Sequence, residues 1–202
     1  MKPGTNPWSK SKKNCCMINR MFGIICLSFL LACAGPKKQV AYFPVFPDDW
    51  LGEWQGKLEI YSTTGKTMEV PMQCVHRKRS DGQYDWYLIY GSGDQRDERK
   101  YTLKPINAKA GHYVVDEGNG ILLDGFVFHD RFISTFEVMG NVLQTQYIKH
   151  KEGMDFQVTM HALQSFHSSG DTIIANDTIP LVNSYKTAIY QQARLKIKDR
   201  DN

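Results

Sequence analysis

The chain has 202 residues, 42% of them hydrophobic, with 25 Lys and Arg against 21 Asp and Glu. Five of those basic residues and no acidic one precede Cys33, so the rest of the chain carries 25−5 = 20 basic residues against 21 acidic ones. That balance removes any argument from charge for a nucleic-acid partner. Of the cysteines only Cys74 lies beyond Cys33. The folded part therefore has no pair for an internal disulfide and no thiolate cluster for a metal. Cys74 sits in an alternating apolar pattern and is expected as a small core residue.

The first element is the apolar run from Met21 to Ala32. It is too short for a spanning helix, which needs about 20 residues. It does fit the roughly 7–15-residue core of a secretory signal behind a basic segment. Lys10, Lys12, Lys13 and Arg20 supply that segment, and Gly35-Pro36-Lys37-Lys38 ends the run. Residues 1–32 are accordingly read as a signal peptide, with Met17 as a second candidate start.

The run closes on Leu30-Leu31-Ala32-Cys33, which resembles the lipobox of bacterial lipoproteins. The resemblance implies cleavage after Ala32, acylation of Cys33 with palmitate-type chains, and anchorage in a membrane of the cell envelope. An ordinary signal peptide with a chance cysteine is the alternative. One acyl chain binds marginally, at about 0.8 kcal/mol per buried methylene, whereas two or three anchor stably. Position 34 is Ala rather than the aspartate of many lipoproteins retained at the inner membrane, and Lys37-Lys38 is not an acidic export run. These features imply the outer membrane, facing the periplasm. Residues 33–50, with Pro36, Pro44 and Pro47, read as an extended tether.

From residue 51 on, short β-branched and aromatic runs alternate with turn residues every eight to twelve positions. This texture predicts an all-β antiparallel meander closing into a barrel of about 8–10 strands. Strands are expected near 51–61, 67–78, 84–90, 99–106, 112–116, 121–128, 131–139, 142–150 and 154–163. The stretch 164–183 reads as irregular. Near 187–198 a period of two predicts a final strand that would close the sheet, although the composition also suits a helix.

The opening strand contains Gly52-x-Trp54-x-Gly56 and resembles the entry strand of calycin-type barrels, which include lipocalins, fatty-acid-binding proteins and nitrobindin-like proteins. The resemblance implies a lipocalin-like fold in which Trp54 plugs one end and the glycines Gly52 and Gly56 allow close chain approach. No helical lid follows the first strand, and no later lipocalin motif is evident.

Two hairpins decide which face points inward. With Gly140-Asn141 and His129-Asp130 as two-residue loops, one face collects Ile121, Leu123, Val127, Phe132, Phe136, Val138, Leu143 and Tyr147. The opposite face holds Asp124, Glu137, Gln144 and Gln146 together with Phe126, Ile133 and Ile148. The first is the better core. The same alternation turns Trp86, Leu88 and Tyr90, and Phe156, Val158 and Met160, inward, and leaves Gln191 as one inward polar residue of the final strand. Ten strands can enclose a ligand, so Trp86, Tyr90, Leu123, Phe132, Phe136, Tyr147 and Phe156 are the candidate ligand-binding residues; simple core packing is the competing account.

No nucleotide loop or nucleophile elbow is evident, and the six histidines lack paired metal spacing, so no catalytic residue, metal or other cofactor is expected. His161, the late histidine that nitrobindin-like proteins would use for haem, is expected to face outward. His76-Arg77-Lys78-Arg79 reads as a charged strand end. Asp171-Thr172-Ile173 and Asp177-Thr178-Ile179 resemble short bacterial O-glycosylation signals. The sequence thus predicts a non-enzymatic envelope lipoprotein whose barrel binds a small hydrophobic ligand. The alternative is a ligand-free structural or interaction module whose outer patch of Phe126, Ile133 and Ile148 meets an envelope protein.

Overall fold

The computed structural model describes residues 42–198. Cys33, the signal segment and the first part of the tether lie outside the described residues. Ten antiparallel strands form a closed barrel. They are β1 (Gly52–Ser62), β2 (Gly65–Lys78), β3 (Tyr84–Tyr90), β4 (Asp97–Asn107), β5 (His112–Asp116), β6 (Leu122–Phe128), β7 (Arg131–Val138), β8 (Asn141–Lys149), β9 (Met154–Ala162) and, after an excursion, β14 (Thr187–Ile197). Each strand pairs with its neighbour in sequence, and β14 pairs with both β9 and β1. The period of two over 187–197 is therefore a strand and not a helix, and it removes the edges that an open meander would expose.

The excursion corrects the irregular reading of 164–183. It is an arm of two small ribbons: β10 (His167–Ser169) pairs with β13 (Val182–Ser184), and β11 (Thr172–Ile174) pairs with β12 (Asp177–Ile179). Its hairpin turn is Ala175-Asn176, with positive φ at both residues, a geometry suited to the twist of a two-stranded ribbon. These three-residue strands are too short and too polar to stand out by alternation. Phe166, Ile173 and Ile174 are exposed on the arm, as are both Asp-Thr-Ile triplets except for the partly covered Ile179.

The predicted inward face is the buried one. Phe132, Tyr147 and Phe156 join Trp54, Leu58, Met72, Cys74, Trp86, Leu103 and Leu195 in one core. One register differs from expectation. The β7–β8 turn is Met139-Gly140, with φ of +50° and +75°, so Val138 pairs with Asn141, Phe136 with Leu143, and Phe132 with Tyr147. The slip is two residues, which leaves every side chain on its predicted face. Val138, at the end of β7, and Ile121, just before β6, are exposed rather than core because they lie at the rim.

The two ends of the barrel differ. At one end, residues 42–51 fold under the wall and push Phe46 and Trp50 into it. Phe46 stacks against Phe132 at 4.9 Å and meets Trp50, Tyr113 and Trp86 at 4.8–5.7 Å. Trp50 is wholly buried. Burying one Trp removes some 200 Å² from water, worth about 5 kcal/mol as an upper estimate. The arm leaves from the other end, between β9 and β14.

Gly56 marks the tightest point of the wall. A Cβ there would fall on the Arg194 carbonyl oxygen and lie 3.0 Å from Leu195 Cδ2. The β1–β14 ladder is interrupted here, between the pairs Gln55–Lys196 and Leu58–Ala193. Gly56→Ala should therefore destabilise the barrel by about 1–3 kcal/mol, as overpacking against fixed backbone does. Urea denaturation monitored by Trp fluorescence would show a lower midpoint with an unchanged slope.

Candidate functional site

The plugged end is built around one carbonyl. Trp50 O accepts hydrogen bonds from the Trp54 indole N–H at 3.0 Å and from His76 Nδ1 at 3.0 Å. Because the acceptor is a carbonyl, His76 must carry its proton on Nδ1. The His76 ring lies flat on Trp86, with centroids 3.4 Å apart and planes 3° from parallel. His76 is thus no charged strand end. It continues the inward series Met72, Cys74, His76, and its partner comes from a segment outside the strand pattern. Burial drives its pKa down to about 3, and the bond to Trp50 offsets only part of that. Cys74 is fully buried, and burial pushes its thiol pKa up, so it is an inert core residue.

A groove of about 680 Å³ lies on the outer wall, among mostly polar residues of β1, β2, β9 and β14. The internal cavity is smaller, about 190 Å³, and lies in the half of the barrel away from the plug. Its wall contains Tyr90, Leu123, Phe132, Phe136, Tyr147 and Phe156, six of the seven predicted ligand-binding residues, together with Leu88, Val115, Leu143 and Val158. Trp86 is the exception. It lies below the cavity, held between His76 and the rings of Phe132 and Tyr147 at 6.1 and 5.5 Å. Met160 and His161 do not line the cavity; His161 sits beside Tyr185 at 4.9 Å.

The polar part of the lining is less legible in sequence. Arg99, Tyr101, Glu117, Ser134 and Thr145 all reach it, as does the inward Gln191. Arg99 and Tyr101 share the inward face of β4 with Leu103, yet Asp97–Lys100 reads as plain surface charge because β4 begins at the open mouth. Arg99 is held there by Asp97 at 3.0 Å and lies over the Tyr90 ring, 5.1 Å from its centroid. Ser134 spends its hydroxyl proton on the Asp124 carbonyl at 2.6 Å. Burial raises the pKa values of Tyr90, Tyr101 and Tyr147, so at neutral pH these are phenols and hydrogen-bond donors.

The outer groove is a cross-braced polar surface. Glu59 accepts from Lys66 at 3.0 Å and from Gln192 at 3.1 Å, and Asp155 from Arg194 at 3.2 Å. Asp124 pairs with His112 at 2.6 Å, and no hydrogen bond joins it to the exposed Glu137. Of the predicted outer apolar patch, Ile148 is buried within the chain and Phe126 stacks on His112 at 4.8 Å. Among the described residues no group of three or more His, Cys, Asp or Glu is placed to hold a metal, and no helix is long and apolar enough to cross a membrane. Neither protein-family models nor curated proteins give a match to the chain.

His76 makes the fold pH-sensitive in one direction. Its folded pKa lies below the ordinary 6.5, so the unfolded chain takes the proton first. The stability this neutral histidine contributes is complete above pH 6.5 and lost as pH falls from 6.5 towards 3, by at most about 1.4 kcal/mol per pH unit. Between pH 6 and 4, His76→Leu should lose stability less steeply than the parent in equilibrium denaturation. Equal slopes would place the burial of His76 in doubt.

Proposed function

We propose that this barrel binds a small, predominantly apolar molecule without transforming it, on a domain held at a bacterial envelope through acyl chains on Cys33. The internal cavity is the observation that carries the binding reading. Its walls are mostly aromatic and aliphatic surface interspersed with hydroxyl and charged groups, and it opens at the end opposite the plug, a composition that suits a small-molecule site. The lining phenols are held protonated and serve as donors rather than bases, which supports binding over chemistry. The anchor rests on Leu30-Leu31-Ala32-Cys33. The closed antiparallel barrel is compatible with the lipocalin-like fold that the Gly52-x-Trp54-x-Gly56 strand resembles.

A second reading, an interaction module, draws on the arm. Its strands pair only with each other, none of its residues is buried, and isolated two-stranded ribbons are marginal in water. An envelope protein that covers the arm would account for the exposed Phe166, Ile173 and Ile174.

Two measurements test these readings. Cys33→Ala should shift the protein from the detergent phase to the aqueous phase in a partition assay and remove the acyl mass; retention in the detergent phase would refute the anchor. Native mass spectrometry of the purified protein should show a bound mass that organic extraction removes. Replacing 164–185 by a short turn joins neighbouring strands β9 and β14 directly. That variant should keep the bound mass; a co-purifying partner lost with the arm, and no ligand mass in either form, would favour the interaction module.

A further inference from the structure

We infer that the occupant of the cavity is a neutral, planar molecule of one or two rings carrying a hydrogen-bond acceptor, an inference that rests on the binding reading above. Size comes first. An apolar cavity of about 150 Å³ accepts benzene, and the cavity here is about 190 Å³. There is room for a bicyclic ring system whose edge reaches the mouth, but not for a coiled long acyl chain.

Shape follows from the walls. Phe132, Phe136 and Phe156 come from β7 and β9, and Tyr90 and Tyr147 from β3 and β8, so aromatic rings face the cavity from several sides of the barrel. Rings of this kind contact a flat π-system over its whole face.

The polar chemistry is donor-rich. Tyr90, Tyr101 and Tyr147 come from β3, β4 and β8 and all line the cavity, which places three phenols from three strands around one space. Ser134 and Thr145 add hydroxyls to the same lining, although Ser134 already donates to the Asp124 carbonyl. A phenol that faces the cavity can donate its proton to an acceptor on a ligand, a bond worth about 1 kcal/mol net. The mouth selects against charge. Arg99 is the one cation of the lining, and it is already met by Asp97 and accompanied by Glu117, so an anionic head group gains nothing there. A cationic head would meet Arg99 itself.

Isothermal titration of the full chain carrying Cys33→Ala tests this with coumarin, naphthalene, 1-naphthoate, 1-naphthylmethylamine and palmitate. Coumarin and naphthalene are nearly the same size and differ in the lactone acceptors. Coumarin should bind about tenfold tighter, the worth of one net hydrogen bond. Tyr147→Phe should abolish that preference, with an unchanged urea midpoint showing that the variant is folded; Tyr90→Phe should reduce it. Equal binding of coumarin and naphthalene, a charged analogue binding tighter than coumarin, or palmitate outcompeting all of them would overturn the ligand class while leaving the barrel a carrier. If no probe binds, the carrier reading falls with it.

Discussion

One carbonyl oxygen, that of Trp50, sets what the rest of the interior can do. It accepts from Trp54 on β1 and His76 on β2, and thereby pins the segment before the barrel to the first two strands of its wall. A barrel of ten strands is wider than its own inward side chains need. The segment 42–51 fills the surplus at one end with Phe46 and Trp50, and the surplus at the other end remains as the cavity. The floor is a layered stack: Trp50 against Phe46, His76 on Trp86, Trp86 against Tyr147. It has a cost. Trp50 Nε1, His76 Nε2 and Trp86 Nε1 are buried without a partner, each at about 1–3 kcal/mol, and the aromatic contact area of the plug offsets them.

The division into a packed end and an open end also separates chemistry from support. The plug is aromatic apart from the neutral His76, with the buried Lys149 laying its ammonium over the Trp54 ring at 4.9 Å, whereas Arg99 and Glu117 stand together at the mouth. The outer wall carries its own braces, such as Lys57–Glu69 at 2.7 Å and Arg194–Asp155 at 3.2 Å. These are exposed pairs, worth little each, and they keep the wall soluble more than they hold it together.

Most of the barrel was legible in the sequence because period-two alternation is strict where one face is buried. Phe132, Phe136, Leu143 and Tyr147 could be assigned to one face even though the turn between β7 and β8 was misplaced, since a two-residue slip preserves the face. Three features escaped that logic. His76 looked like part of a basic strand end, because its partner is a backbone carbonyl 26 residues away, which no periodicity encodes. Arg99 and Tyr101 were hidden among Asp97–Lys100, where inward and outward positions are both polar at the rim. The arm was missed because three-residue strands exposed on both faces leave no pattern. The proposed membrane anchor rests on Cys33 and its flanks, outside residues 42–198.

The pairing of β14 with β1 has a kinetic consequence. Trp54 finds Ile197 and Tyr61 finds Tyr190, so the seam closes between the two extremes of the barrel sequence. Such contacts are the most non-local the chain can make, and β topologies that depend on them fold on the scale of milliseconds to seconds. A nascent chain lacking residues 187–197 holds nine strands and two open edges, with neither seam nor sealed circumference. The barrel thus matures only once nearly its entire length is available. The step that commits the chain to a rigid cylinder therefore waits for the strand farthest along the barrel sequence, and every earlier intermediate stays open along one seam.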